Sequence, residues 1–241
     1  EETYQLIPED DGSIPDEGAE RPGSGQTIGR IDGIDSDDSM ADFTITPAPT
    51  PGAENPVCAP ASGKVVINEV MSDPAGEDGG AEWVELYNPE SSAVDIGGWG
   101  LAFAGDGEAI DTVDTFLPID TVLEPGAFLV IGGELVEVAD VVGTFTIGNG
   151  SGGDGVRLLD CQGTPMDTLV YGSDNEDLVP DDTGEVGDPV AAPDDDQTVA
   201  RKEDGVDTDS AADWFVDRFP TPGATNFHEA TDTGTDPVGS G

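Results

Sequence analysis

Carboxylates are the chemistry this chain carries in quantity. Two clusters fall at matching but partly shifted places, Asp35, Asp37 and Asp38 in one and Asp204, Asp207 and Asp209 in the other. Each contains an acid–x–acid step beside a glycine, Asp35-Ser36-Asp37 and Asp207-Thr208-Asp209. Hard cations such as Ca²⁺ collect about six to eight oxygen ligands from loops of this kind. The spacing lacks the order and the closing Glu of an EF-hand. A structural reading stands beside the metal one: the Asp side chains form Asx-turns and cap a short turn at Ser210–Asp213. Ca²⁺ is therefore the one cofactor left open.

Catalytic sets are hard to assemble. The single histidine, His228, lies in a Thr/Asp/Gly-rich tail, so no Ser/His/Asp or Cys/His constellation forms without it. Paired carboxylates are so abundant that a pair identifies nothing. The stretch Gly148–Gly155 lacks the Lys-Ser/Thr of a phosphate loop and no helix follows it, so it reads as a hairpin connection. Two cysteines and one histidine are too few for a Cys/His zinc site. The expectation is a protein that is not an enzyme. In a reducing compartment Cys58 and Cys161 would be free thiols, whereas in a secreted protein they form one disulfide. That bridge would close a loop of about 100 residues, worth up to about 4.7 kcal/mol on the chain-entropy model.

The charge balance narrows the partners. Among 241 residues, 53 are acidic and 7 are Lys or Arg, a formal net charge of −46. Nucleic acid and anionic membranes repel such a chain, and no basic patch offsets this. No apolar run reaches the ~18 residues that a membrane span needs. The charge fits a solvated surface, a saline medium or cation binding. Only Lys64 and Lys202 are lysines, which suits the saline reading; at 1 M salt the Debye length is about 3 Å.

The elements that must hold these groups are short strands. Gly (34) and Pro (19) supply frequent turns. Strands are expected at Lys64–Met71, Glu82–Tyr87, Ala93–Ile96, Gly100–Ala104, Asp111–Phe116, Ala127–Ile131, Gly143–Ile147, Gly155–Leu159 and Asp167–Tyr171. Pro125-Gly126 suits a type II turn. Leu135–Val142 is an apolar run that suits a helical turn, a strand or a loop. No segment keeps a helical period for three turns. Such a series points to an antiparallel sandwich or barrel. Residues 172–195 read as a long acidic loop.

The chain also repeats itself. Gln26 through Asn55 returns without a gap as Gln197 through Asn226, 171 residues later, with 13 of 30 positions identical. Residues 1–55 are read as the closing part of a preceding copy, 56–62 as a linker, 63–226 as a complete domain and 227–241 as a disordered linker. On this reading the chain is an internal piece of a longer protein. Arg30 and Arg201 recur despite the acid excess. Each is expected to make a structural ion pair or to stack on Phe43 or Trp214.

Six segments carry a family resemblance. They are Val66–Val70, Glu82–Asn88, Asp95–Leu101, Leu123–Val130, Val156–Asp160 and the closing Pro220–Asn226. In this order they resemble a lamin-tail domain of the bacterial extracellular type. The resemblance implies an immunoglobulin-like antiparallel β-sandwich. It also implies a non-catalytic interaction or structural module of a repetitive secreted or cell-surface protein. Rival expectations are an accessory domain of an extracellular nuclease or phosphoesterase, or a calcium-dependent adhesion module. Protein or surface-polymer partners fit; their identity stays open. Trp83 and Trp99 are expected to fill the space between the sheets. Asn68 is expected to satisfy backbone groups at a bend, and Glu69 to face out or pair with a base.

Overall fold

The computed structural model describes residues 27–30, 35–46, 51–52, 55, 61–76, 78–104, 110, 113–149, 152–175 and 178–227. The hairpin at the start consists of β1 (Thr27–Arg30), a helical turn (Ser39–Asp42) and β2 (Phe43–Thr46). The first half of the main body contains β3 (Val66–Met71), β4 (Trp83–Tyr87), β5 (Val94–Asp95), β6 (Gly100–Ala104), β7 (Val113–Phe116) and β8 (Val122–Leu123). The second half contains β9 (Phe128–Gly132), β10 (Val141–Val142), β11 (Asp154–Leu159), β12 (Pro165–Tyr171), β13 (Thr198–Arg201) and β14 (Trp214–Asp217). A 3₁₀ turn (Ala211–Asp213) leads into β14.

Two sheets face each other. One has the order β10-β9-β4-β3-β13-β14 and the other β12-β11-β6-β7; β5 and β8 form a small ribbon. The pairings are antiparallel except for β10 with β9. Ile67, Val84, Leu86 and Ile131 of the larger sheet join Leu101, Val156, Leu158 and Leu169 of the smaller one in one core. Each such buried side chain contributes about 1.5–3 kcal/mol relative to exposure. Trp99 is buried in this core. The fold is an immunoglobulin-like antiparallel sandwich.

The turn chemistry follows the residue types. Gly126 has φ +67°, and the Ala127 N–H closes the turn on the Glu124 carbonyl at 3.0 Å, as a Pro-Gly type II turn requires. The expected strand at Gly143–Ile147 is absent. There a buried side chain replaces a ladder partner: the Ile147 N–H donates to Glu82 Oε1 at 2.8 Å. Leu135–Val142 forms tight turns, with Val136 donating to Gly133 and Ala139 to Val136, and ends in β10.

A bulge in β3 sets the facing of the residues that follow it. The register of β3 on β4 shifts between Ile67 and Glu69, so Asn68 is an extra residue in that strand. Ile67 and Val70 therefore both face the core, three positions apart, while Glu69 lies opposite Glu85. Trp83 alternates with Val84 and so points to the outer face, where it packs with Met71, Val130 and Val136. Of the two early tryptophans only Trp99 fills the space between the sheets. Glu69 lies on the outer face opposite Glu85 but is covered there, 0 % exposed, and it meets no base.

Candidate functional site

The strongest concentration of polar chemistry is the seam where β13 and β14 close the larger sheet. Arg201 ends β13 and is 0 % exposed. Its Nε donates to the Ile67 carbonyl at 2.7 Å and its Nη1 to the Val206 carbonyl at 2.7 Å. Nη2 pairs with Asp167 Oδ2 at 2.7 Å and Nη1 with Asp207 Oδ1 at 3.3 Å. The guanidinium lies 4.2 Å from the centroid of the Trp214 ring. Both expectations for Arg201, ion pair and stacking, are met at once, because a planar cation can donate in its plane and stack on its face. Asp167 takes a further N–H from Ile67 at 2.7 Å. Burial pushes its carboxyl up to about 6 although Arg201 opposes this. Burial also raises Asp207, but Lys64 at 2.5 Å and Arg201 outweigh it and leave the net shift downward.

A second polar layer lies on the outer face of β3 and β4. Glu69 accepts from the Thr198 hydroxyl at 2.6 Å and from the Thr221 N–H and hydroxyl, each to Oε2 at 3.1 Å. Glu85 accepts from Asn68 Nδ2 at 3.0 Å and from the Gly223 N–H at 2.5 Å. Asn226 Nδ2 bridges the carbonyls of Asn68 and Arg201 at 3.1 and 3.0 Å. The closing segment Pro220–Asn226 is thus tied across the bulge, and Asn68 serves backbone at the bend as expected, its Oδ1 accepting the Gly205 N–H at 3.3 Å. Burial pushes Glu69 up to about 7 and Glu85 up to about 8.

The acidic clusters are engaged by protein groups. Asp35 pairs with Arg30 at 3.1 Å, and Asp38 Oδ1 accepts the Ala41 N–H at 3.2 Å. Asp37 and Asp209 have φ of 59° and 52°, the left-handed backbone that Asp tolerates at turns. Asp204 Oδ1 accepts from Asn68 Nδ2 and the Asn226 N–H at 3.1 and 3.2 Å. Asp207 is held by Lys64 and Arg201. Ser210 caps the 3₁₀ turn, its hydroxyl accepting from the Ala212 N–H at 3.2 Å. Among the described residues no three His, Cys, Asp or Glu side chains converge as a metal cage.

One groove opens beside the seam, a cavity of ≈ 300 Å³ lined by residues that include Asp181, Asp188, Asp207, Asp209 and Trp214. Its far wall comes from the 172–195 loop. That loop is pinned rather than loose: Arg157 donates to the Pro180 carbonyl at 2.6 Å, and Gly172 N–H to the Val190 carbonyl at 2.8 Å. His228 and Cys58 lie outside the described residues, as do residues 1–26 and 228–241. Cys161 follows β11 and is not a free thiol.

Sequence reasoning had singled out Arg201, Trp214 and the Asp residues of the turn. It had missed Asp167, Glu85, Thr198, Thr221 and the role of Asn226. Thr198, Thr221 and Asn226 each have an identical counterpart in the first copy, Thr27, Thr50 and Asn55. That identity was the available signal. Asp167 and Glu85 fall outside the repeated segment.

No helix among the described residues is long and apolar enough to cross a membrane. No curated protein matches the chain. A family model does: the Lamin Tail Domain matches residues 59–173. The span runs from just before β3 to just after β12, and the seam strands β13 and β14 extend the same sheet beyond it. Residues 59–173 of this chain belong to the Lamin Tail Domain family.

Proposed function

We propose that this chain is a non-catalytic interaction and spacer module of a repetitive secreted or cell-surface protein. The supporting observation is the orientation of its ionisable groups. Arg201, Asp167, Glu69 and Glu85 are all buried and face one another or backbone groups across the seam. A catalytic group must face a substrate; these groups close a sandwich. Loops rich in one sign of charge remain for contact with a protein or a surface polymer. Such loops on a rigid scaffold are where binding residues concentrate.

The same reading expects a Cys58–Cys161 disulfide, which secretion would allow. Alkylation without reductant should add no mass, and alkylation after reduction should add two labels. The functional test is turnover by the purified chain. Phosphomonoester, phosphodiester and single- and double-stranded DNA substrates are assayed with Mg²⁺, Mn²⁺ and Ca²⁺. Rates equal to the buffer blank are expected. Turnover that follows the protein through purification would overturn the reading.

A further inference from the structure

The Asn226 amide decides where one proton sits under the closing segment. Its Nδ2 donates to the carbonyls of Asn68 and Arg201 at 3.1 and 3.0 Å. Carbonyls only accept, so both amide protons are used and the orientation of the amide is fixed. Asn226 Oδ1 therefore faces the Thr221 hydroxyl, at 3.0 Å. Glu69 Oε2 lies 3.1 Å from that same hydroxyl oxygen. A hydroxyl has one proton to give, and an ionised Glu69 competes with Asn226 for it. A proton on Oε2 removes the conflict: Glu69 donates to Thr221, and Thr221 donates to Asn226. The other Glu69 oxygen stays an acceptor, meeting the Thr198 hydroxyl at 2.6 Å and the Thr221 N–H at 3.2 Å.

The surroundings favour that proton. Burial raises the Glu69 carboxyl, and the charge of Asp217 at the end of β14 adds to it. Glu85 stands opposite Glu69 on β4, and Asp204, in the turn after β13, acts on Glu85 in the same sense. The neighbours from β13 and from the bulge, Thr198 and Asn68, carry no charge. Arg201 spends its guanidinium on Asp167 and Asp207 instead. The charged groups that face the pair are thus all acidic, and like charges close together hold a proton between them.

We propose that Glu69 is the proton-carrying latch of the closing segment: protonated, it holds Pro220–Asn226 down across β3 and β4, and loss of the proton loosens that segment. The sign follows from linkage. The closed segment holds the proton at a carboxyl raised to about 7, whereas in the open one the carboxyl regains its ordinary 4.5. The latch is therefore full at acid pH, weakens as pH rises from about 4.5 to 7 and levels off above. Opening uncovers Glu69, Glu85 and Asn68, which the segment and its Asn226 now cover.

Amide hydrogen exchange in the full chain, divided by the intrinsic rate at each pH, tests this at Thr221 and Gly223, whose N–H groups meet Glu69 and Glu85. Their protection should fall at least about tenfold per pH unit between about 5 and 7, as release of one proton per opening requires. Leu101 and Leu158, paired in the smaller sheet, should exchange more slowly at every pH, because the opening is local. Glu69→Gln keeps a donor toward Thr221 and cannot ionise, so its fall should be shallower by about a factor of ten per unit. Protection that ignores pH, an unchanged slope in Glu69→Gln, or rates equal to those of Leu101 and Leu158 would each overturn the proposal. Where Glu69→Gln fails to fold, a ¹³C titration of the unsubstituted chain decides. The Glu69 carboxyl carbon should then titrate at about 7, and a midpoint at the ordinary 4.5 would overturn the latch.

Discussion

Replacing Arg201 by Met should produce a large and diagnosable loss. The side chain is 0 % exposed, and Asp167 beside it is 1 % exposed. Met fills much of the stem volume but removes the donors to Ile67, Val206, Asp167 and Asp207. Asp167 keeps only the Ile67 N–H at 2.7 Å among these contacts. Breaking a buried ion pair by removing one partner costs about 3–5 kcal/mol. For a domain of this size each kcal/mol lowers Tm by roughly 2–4 °C, so a fall of roughly 6–20 °C is expected. Scanning calorimetry at pH 8 and fixed salt measures it. Asp167→Asn supplies the control, since Asn still accepts from Ile67 but carries no charge. Adding it to R201M should restore about 1 kcal/mol or more, a coupling within the range seen for contacting residues. The R201M deficit should also shrink as pH falls from 8 toward 6 and level off below, because without Arg201 the buried Asp167 takes up its proton at a higher pH than in the unsubstituted chain. A Tm fall under about 3 °C, or no recovery with Asp167→Asn, would refute the view that this pair holds the seam.

Other expectations follow from the same geometry. Asp167, Glu69 and Glu85 titrate at about 6, 7 and 8 in the fold, above the ordinary 3.8 to 4.5, because burial disfavours their charge. The folded state then binds more protons, so stability should fall as pH rises from about 4 through 8 and level off above; urea midpoints across that range test the sign. Asn226→Ala removes the donors to two buried carbonyls and should cost about 1–3 kcal/mol in chemical denaturation. Gly97→Ala would place a Cβ 1.7 Å from the Ile119 carbonyl oxygen, and soluble folded protein should not be recovered. Calorimetric titration with millimolar Ca²⁺ should give no heat at Asp35–Asp38 or Asp204–Asp209, since hydrogen bonds and ion pairs already engage several of these carboxylates; saturable heat would revive the calcium reading.

Much of the scaffold was legible because strand signals are local. Gly100–Ala104 formed with its expected bounds, and Pro125-Gly126 turned as its residue types demand. Arg201 was legible too, because a basic residue retained in an acidic repeat calls for a partner. The facing of β3 was not legible. An apolar pattern reports which face is buried only while the period of two is unbroken, and one extra residue at Asn68 resets it. Trp83 was misread on the neighbouring strand, where Val84 and Leu86 take the core face and Met71, Val130 and Val136 cover Trp83 on the outer one. Glu69 was misread because its cover comes from Thr198 and Thr221, far off in the chain.

The sequence by itself determined most of the strand sites, the Pro-Gly turn, the duplicated closing segment and the extreme negative charge. All of these depend on neighbours within a few residues, on composition or on direct identity. The tertiary structure alone decided that Glu69 and Glu85 are buried acceptors and that Asp167 answers Arg201. Their partners are far off in the chain: Thr221 is 152 residues from Glu69, Gly223 is 138 from Glu85, and Arg201 is 34 from Asp167. A carboxylate looks solvated in sequence when nothing nearby covers it. Here the cover arrives only when the chain returns across β3.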